Sequence, residues 1–258
     1  MSAAARQRWL GAAVVLAVAS GIGSARAEYV VAPDVVVFCD LALEHAITDA
    51  ARLWRRESEV PVRVFAAPTP LLVEQVSRHI RSDLLIGEGD RTAAVAVERQ
   101  ALKTAPRLGL WRNRLVLARR RAEPPAEGAL SAMLAAGPVA LVDLPSAVAA
   151  VDTRQALERL GLWEGVAPNI LGSPDTADAA FLLRHGKARF AVVYATDVAA
   201  DSSLTKAAAL PDDAYPPVTY WLAETTTILS PEAAKFEAFL TQPAAQQQLR
   251  EDGLEVLP

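Results

Sequence analysis

The residues best placed to do chemistry lie in five short turns, each between an apolar, strand-like run and a helical pattern. They are Cys39-Asp40-Leu41-Ala42, Ala67-Pro68-Thr69-Pro70, residues 146–150, Ser173-Pro174-Asp175-Thr176 and Tyr194-Ala195-Thr196-Asp197. A helix start carries N–H groups with no intrahelical acceptor and a positive partial charge, so turns of small and hydroxyl residues there suit an oxyanion. Taken singly, each turn also reads as plain capping, since Thr69, Ser173 and Asp175 are ordinary N-cap types. Several such turns facing one cleft would make a binding site. Covalent chemistry has less support. The sequence contains no G-x-S-x-G, H-E-x-x-H, G-x-x-x-x-G-K-[ST] or G-x-G-x-x-G. His45, His79 and His185 fall on helical patterns beside charged neighbours and read as solvated surface. Cys39 and His45 are the one thiol and base near each other in sequence, and no orienting third group accompanies them. Cys39 ends an apolar run and reads as a small buried hydrophobe. No catalytic residue, metal site or cofactor is expected.

The elements that must position these turns alternate along the chain. Strand-like runs occur at 35–38, 62–65, 83–86, 114–117, 139–142, 190–193 and 218–222. Helical patterns cover 43–54, 69–80, 92–101, 149–160, 176–185, 230–240 and 243–251, with Thr69 and Ser230 as expected N-caps and Pro70 in a first helical turn. Such alternation predicts mostly parallel sheets flanked by helices. Ligands then bind at the carboxyl ends of strands, where the helices begin. Arg119-Arg120-Arg121 followed by Pro124-Pro125 reads as a lobe edge, and the run near 218 as a strand returning across it. This predicts two α/β lobes joined by two crossings: residues 28–121 with 218–258, and 122–217.

Composition narrows the class. The 258 residues are 52% hydrophobic and 22% charged, which is globular usage. A net charge of −4 gives no basic face for nucleic acid. The single cysteine excludes an internal disulfide framework. Residues 1–27 read as an export signal: Arg6 and Arg8, an apolar stretch at 9–22, then Ala25-Arg26-Ala27 as a cleavage site. Removing that segment, with its three arginines and no acid, takes the charge from −4 to −7 and leaves 231 residues. The expected location is the periplasm.

In order and spacing, several segments resemble the molybdate-binding periplasmic proteins of ABC importers. They include Val37-Phe38 with its turn and helix, Thr69 with Gln75-Val76, and Asp83-Leu84-Leu85-Ile86. Others are Arg112-Asn113-Arg114-Leu115-Val116-Leu117, with Arg112 where the family has glycine, and Ala156-Leu157-Glu158-Arg159-Leu160-Gly161-Leu162-Trp163. The most specific is Val192-Val193-Tyr194-Ala195-Thr196-Asp197, followed by Leu210-Pro211-Asp212-Asp213. The resemblance implies a two-lobed periplasmic binding protein fold of type II. It implies a monomer that binds molybdate or tungstate without a cationic side chain and works with a permease in the inner membrane. Carried over position by position, the ligand-binding residues are Ala42, Thr69, Ala149, Thr176 and Tyr194. Ala42 lacks the hydroxyl the family has there. Pro68 and Pro70 remove two N–H donors beside Thr69. Asp40 brings a carboxylate to the first turn. Facing a charge 6 Å away at an effective dielectric near 20, it would cost roughly 3 kcal/mol per unit charge product. The sequence leaves open whether Asp40 faces the cleft. The alternative is a protein of the same fold with a diverged ligand, or one acting as a periplasmic sensor or interaction domain.

Overall fold

The computed structural model describes residues 34–125, 127–145 and 147–257; the export signal expected at 1–27 and Ser146 lie outside them. The chain builds β1 (Val35–Asp40), α1 (Glu44–Ser58), β2 (Val62–Ala67), α2 (Thr69–Ser77), β3 (Leu84–Glu88), α3 (Asp90–Glu98) and β4 (Arg107–Asn113). It continues with β5 (Leu115–Arg120), α4 (Leu130–Ala135), β6 (Val139–Val142), α5 (Val148–Arg159), α6 (Trp163–Val166) and β7 (Ile170–Ser173). Then come α7 (Thr176–Arg184), β8 (Phe190–Tyr194), α8 (Ala195–Ala200) and β9 (Leu204–Ala209). The last elements are β10 (Val218–Glu224), α9 (Ala233–Leu240), α10 (Pro243–Glu251) and β11 (Glu255–Val256). One sheet has the order β11-β4-β10-β3-β1-β2 and the other β7-β6-β8-β5-β9. Each is the floor of a lobe covered by helices.

The first crossing differs from the expectation. Residues 115–120 pair with β8 and β9 in the second sheet, so the chain changes lobe at Arg114 and not near 122. The reason is apolar pairing. Leu115, Val116, Leu117 and Ala118 are buried against partners in β8 and β9, while the arginines that follow close a strand within the second lobe. The sheets are also mixed. β1 is parallel to β2 and β3, and β6 to β7 and β8. β10 and β5 are antiparallel to their neighbours. A strand that enters its lobe from a crossing at the cleft must run away from the cleft, opposite to strands that end there.

Parallel register sets the site. Asp40 lies opposite Ala67, and Cys39 opposite both Ala66 and Ile86, so the carboxyl ends of β1, β2 and β3 sit side by side. All six residues of β1 are buried. The face behind them is covered by α1 and α9, where the Trp54 ring lies 5.8 Å from Phe236 and 5.3 Å from Phe239. Just before β3, the fully buried Asp83 accepts the N–H groups of Val36, Leu229 and Ser230 at 2.7, 2.6 and 2.9 Å, tying the return segment to β1. That return helix starts at Ala233 and not at Pro231. The Ser230 hydroxyl still receives the Glu232 N–H, at 3.3 Å.

Candidate functional site

The end of β1 places Asp40 inside the molecule, 6% exposed. The backbone then tightens into a 3-10 turn, and Asp40 Oδ1 accepts the Ala42 N–H at 3.2 Å. Oδ2 accepts two hydrogens from the start of α2: the Thr69 N–H at 3.2 Å and the Thr69 hydroxyl at 2.5 Å. Thr69 is therefore not an N-cap. Pro68 holds that position, and the hydroxyl turns inward because a buried carboxylate offers a stronger acceptor than solvent at the helix end. Thr69 Oγ1 also accepts the Glu88 N–H at 3.0 Å, which links the ends of β1, β2 and β3 in one chain of hydrogen bonds.

Gly87 makes that link possible. A Cβ there would sit 2.4 Å from the Trp221 ring and 2.8 Å from the Thr69 methyl, so only glycine lets both pack against the strand. The next residue, Glu88, is buried and reaches the other lobe: Tyr194, at the end of β8, donates its hydroxyl to Glu88 Oε1 at 3.2 Å. The Tyr194 N–H is held by Asp197 Oδ2 at 2.9 Å, and Thr176 also hydrogen bonds to that carboxylate. A second bond joins the lobes beside the crossing, from the Asn113 amide to the Thr196 hydroxyl at 2.9 Å.

Four of the five expected ligand residues fall into two groups. Thr69 and Tyr194 are linked through Glu88, whose N–H donates to the Thr69 hydroxyl and whose carboxylate accepts the Tyr194 hydroxyl. Ala42 and Thr176 line a cavity of about 160 Å³ with His45, Thr196 and Asp197. Ala149 sits in the first turn of α5, and Asp152, one turn further on, acts electrostatically on Glu88 and Tyr194. Of the turns read as capping, Asp175 does cap α7, accepting the Asp178 N–H.

Charge is the unexpected part. Burial raises the Asp40 carboxyl above its usual range, against the pull of the three hydrogens it accepts. Glu88 is raised well above that range, by burial first and by the Asp40 charge second. Burial raises Asp152 to about 6 and Asp197 to about 6. Burial pushes the Cys39 thiol up as well, the opposite of what a nucleophile needs. Away from Asp40 and Glu88, His45, Asp49 and Asp252 bring their ligand atoms within 4.8 Å of one another. The imidazole faces each carboxylate at 3.7 Å, which is ion-pair geometry when it is protonated.

Glu88, Asp152 and Asn113 join the candidate site, and the sequence did not single them out for it. Glu88 carried a signal, an acid between Gly87 and Gly89 at the end of an apolar strand. Asp152 sits inside a helix pattern and carried none.

Comparison with known proteins adds relatives. The family model for bacterial extracellular solute-binding proteins matches residues 35–255. The molybdate-binding protein ModA of Escherichia coli (strain K12) is 26% identical over 97% of this chain and 99% of its own. Among solved structures, the Azotobacter vinelandii periplasmic molybdate-binding protein matches with a TM-score of 0.73 at 16% identity, over 87% of this chain and all of its own. The substrate-binding domain of a putative molybdenum ABC transporter from Clostridium difficile matches at 0.70 and 19%, over 87% of this chain and 99% of its own.

Proposed function

The chain belongs to the bacterial extracellular solute-binding protein family, and from that premise we propose that it is the periplasmic binding component of an ABC-type importer for a molybdate-like oxyanion. One observation carries the reading. The donors of the first lobe, Ala42 N–H, Thr69 N–H and Thr69 O–H, already converge on the two oxygens of one carboxylate at 2.5 to 3.2 Å. That is the geometry an oxyanion needs, since neutral dipoles at helix starts replace its hydration shell. The second lobe supplies Tyr194 and the first turns of α5 and α7, with Ala149 and Thr176. The ligand enters between the lobes, Tyr194 leaves Glu88 for an oxyanion oxygen, and the closed form is what a permease in the inner membrane recognises. No covalent step is involved.

The test is thermal unfolding in the presence of molybdate, tungstate, sulfate and phosphate. A ligand at a hundred times its Kd stabilises the fold by about 2.7 kcal/mol. The reading predicts a shift of that size with molybdate or tungstate. The absence of a shift with every oxyanion would contradict it.

A further inference from the structure

We propose that Asp40 is a built-in competitor of the ligand and that Asp40 and Glu88 together make oxyanion binding proton-coupled: the oxyanion displaces the Asp40 carboxylate from Ala42 and Thr69, and the pair takes up one proton. The inference rests on the oxyanion reading above and adds how that site is regulated.

Valence limits what these donors can hold. The Thr69 hydroxyl has one hydrogen, and Asp40 holds it. The Ala42 and Thr69 N–H groups each have one, and both point at the same carboxylate. An oxyanion can gain these donors only by replacing Asp40. The released carboxylate would then face the ligand's negative charge with no cation to balance it. The titratable groups that interact with its charge are Cys39 on its own strand, Glu88 on β3, Tyr194 on β8, Asp197 on α8 and Tyr220 on β10; Asp152 on α5 acts on Glu88, and Glu44 on α1 acts on Cys39. Each is neutral or negative. Among the described residues no Lys, Arg or His is bonded to Asp40; the nearby His45 is paired with Asp49 and Asp252. Thr69 couples the two acids directly, since it donates to Asp40 and accepts from the Glu88 N–H.

Two buried acids joined in this way share protons as a unit. The three hydrogens on Asp40 favour its charged form, whereas among the described residues the Glu88 side chain accepts only the Tyr194 hydroxyl, so the proton of the pair belongs on Glu88 before the oxyanion binds. When the oxyanion takes those three hydrogens, Asp40 loses what stabilised its charge. A proton from bulk water then bonds to a carboxylate oxygen, and no bond within the oxyanion changes. The protonated acid can in turn donate a hydrogen to the ligand.

The experiment is calorimetric titration of the protein with sodium molybdate between pH 6 and 8, repeated at pH 7 in buffers of different ionisation enthalpy. The proposal predicts uptake of about one proton per molybdate, and a Kd that weakens toward tenfold per pH unit as pH rises. Asp40→Asn should bind more tightly than the unmodified protein at pH 8, with no proton uptake. The proton count on the unmodified protein decides the matter whether or not the variant folds. Binding with an unchanged Kd and no proton uptake overturns the inference and leaves the oxyanion reading standing. Absence of binding in both proteins at every pH overturns the oxyanion reading, and the inference with it.

Discussion

Asp40 accepts the three hydrogens that the proposed oxyanion would take, and Glu88 accepts the Tyr194 hydroxyl that would turn to it. A serine hydroxyl at position 42 would compete with the Ala42 N–H for the same carboxylate oxygen; alanine leaves the N–H alone with it. Ala42→Ser supplies a further donor to a bound oxyanion. One added hydrogen bond contributes about 1 kcal/mol, so molybdate affinity should rise about fivefold. Titration of the variant checks this, and an unchanged or weaker affinity would remove Ala42 from the site. At this scale the sequence was only partly legible. The residue types and the five turns could be read from it. The direction of a side chain could not: whether Asp40 faced the cleft depended on Thr69 turning its hydroxyl inward, 29 residues away.

Among the elements, β3 matters most to the site, because it presents Gly87 to two side chains and Glu88 to the other lobe. Gly87→Ala places a methyl within 2.4 Å of the Trp221 ring and 2.8 Å of Thr69. Overpacking of this kind costs roughly 1–3 kcal/mol. Trp221 is fully buried and cannot swing into solvent, so part of the strain must move Thr69. The variant should melt at a lower temperature and bind molybdate more weakly. A loss of stability with unchanged affinity would separate Gly87 from the site. The strands with strong apolar runs were legible, and so was every helix that carries an expected ligand residue. Missed were β4, β7, β9 and the two-residue β11, and the short helices α4 and α6. Arg107–Asn113 and Leu204–Ala209 mix charged or small residues with apolar ones, and tertiary pairing decides their state.

At the scale of the whole molecule, buried residues of both sheets belong to one hydrophobic cluster, and side-chain hydrogen bonds join the lobes. Tyr194–Glu88 and Asn113–Thr196 bridge the cleft side. Beside the first crossing, Asp212 pairs with Arg112 at 3.0 Å and Arg114 at 2.9 Å, and Arg114 also reaches Glu255 at 2.9 Å. Arg112, where the resembled family has glycine, thus ties the two crossings together. The buried acids give the unliganded protein a pH signature. Asp152 and Asp197 have carboxyls raised from 3.8 to about 6. Between those values the folded state holds protons that the unfolded chain has released, so stability falls as pH rises from about 4 to 6, and Glu88, raised well above the usual carboxyl range, extends the fall beyond it. Tm should follow that course, and Asp152→Asn, which removes a charge disfavoured by burial, should raise Tm at pH 7.5 and reduce the slope. A Tm that climbs over the same range would show these carboxyls ionised in the fold. The two-lobed architecture was legible from the alternation of strands and helices. The point of crossing was not, because a charge run and two prolines mark a boundary in sequence as readily as a strand end in a lobe.

In the proposed function, helix starts from both lobes hold one oxyanion per chain. Calorimetric titration of the purified protein with molybdate at pH 6 tests it most directly. The expected result is saturable binding at one molybdate per chain. An absence of saturable binding by molybdate and by tungstate under the same conditions would contradict it.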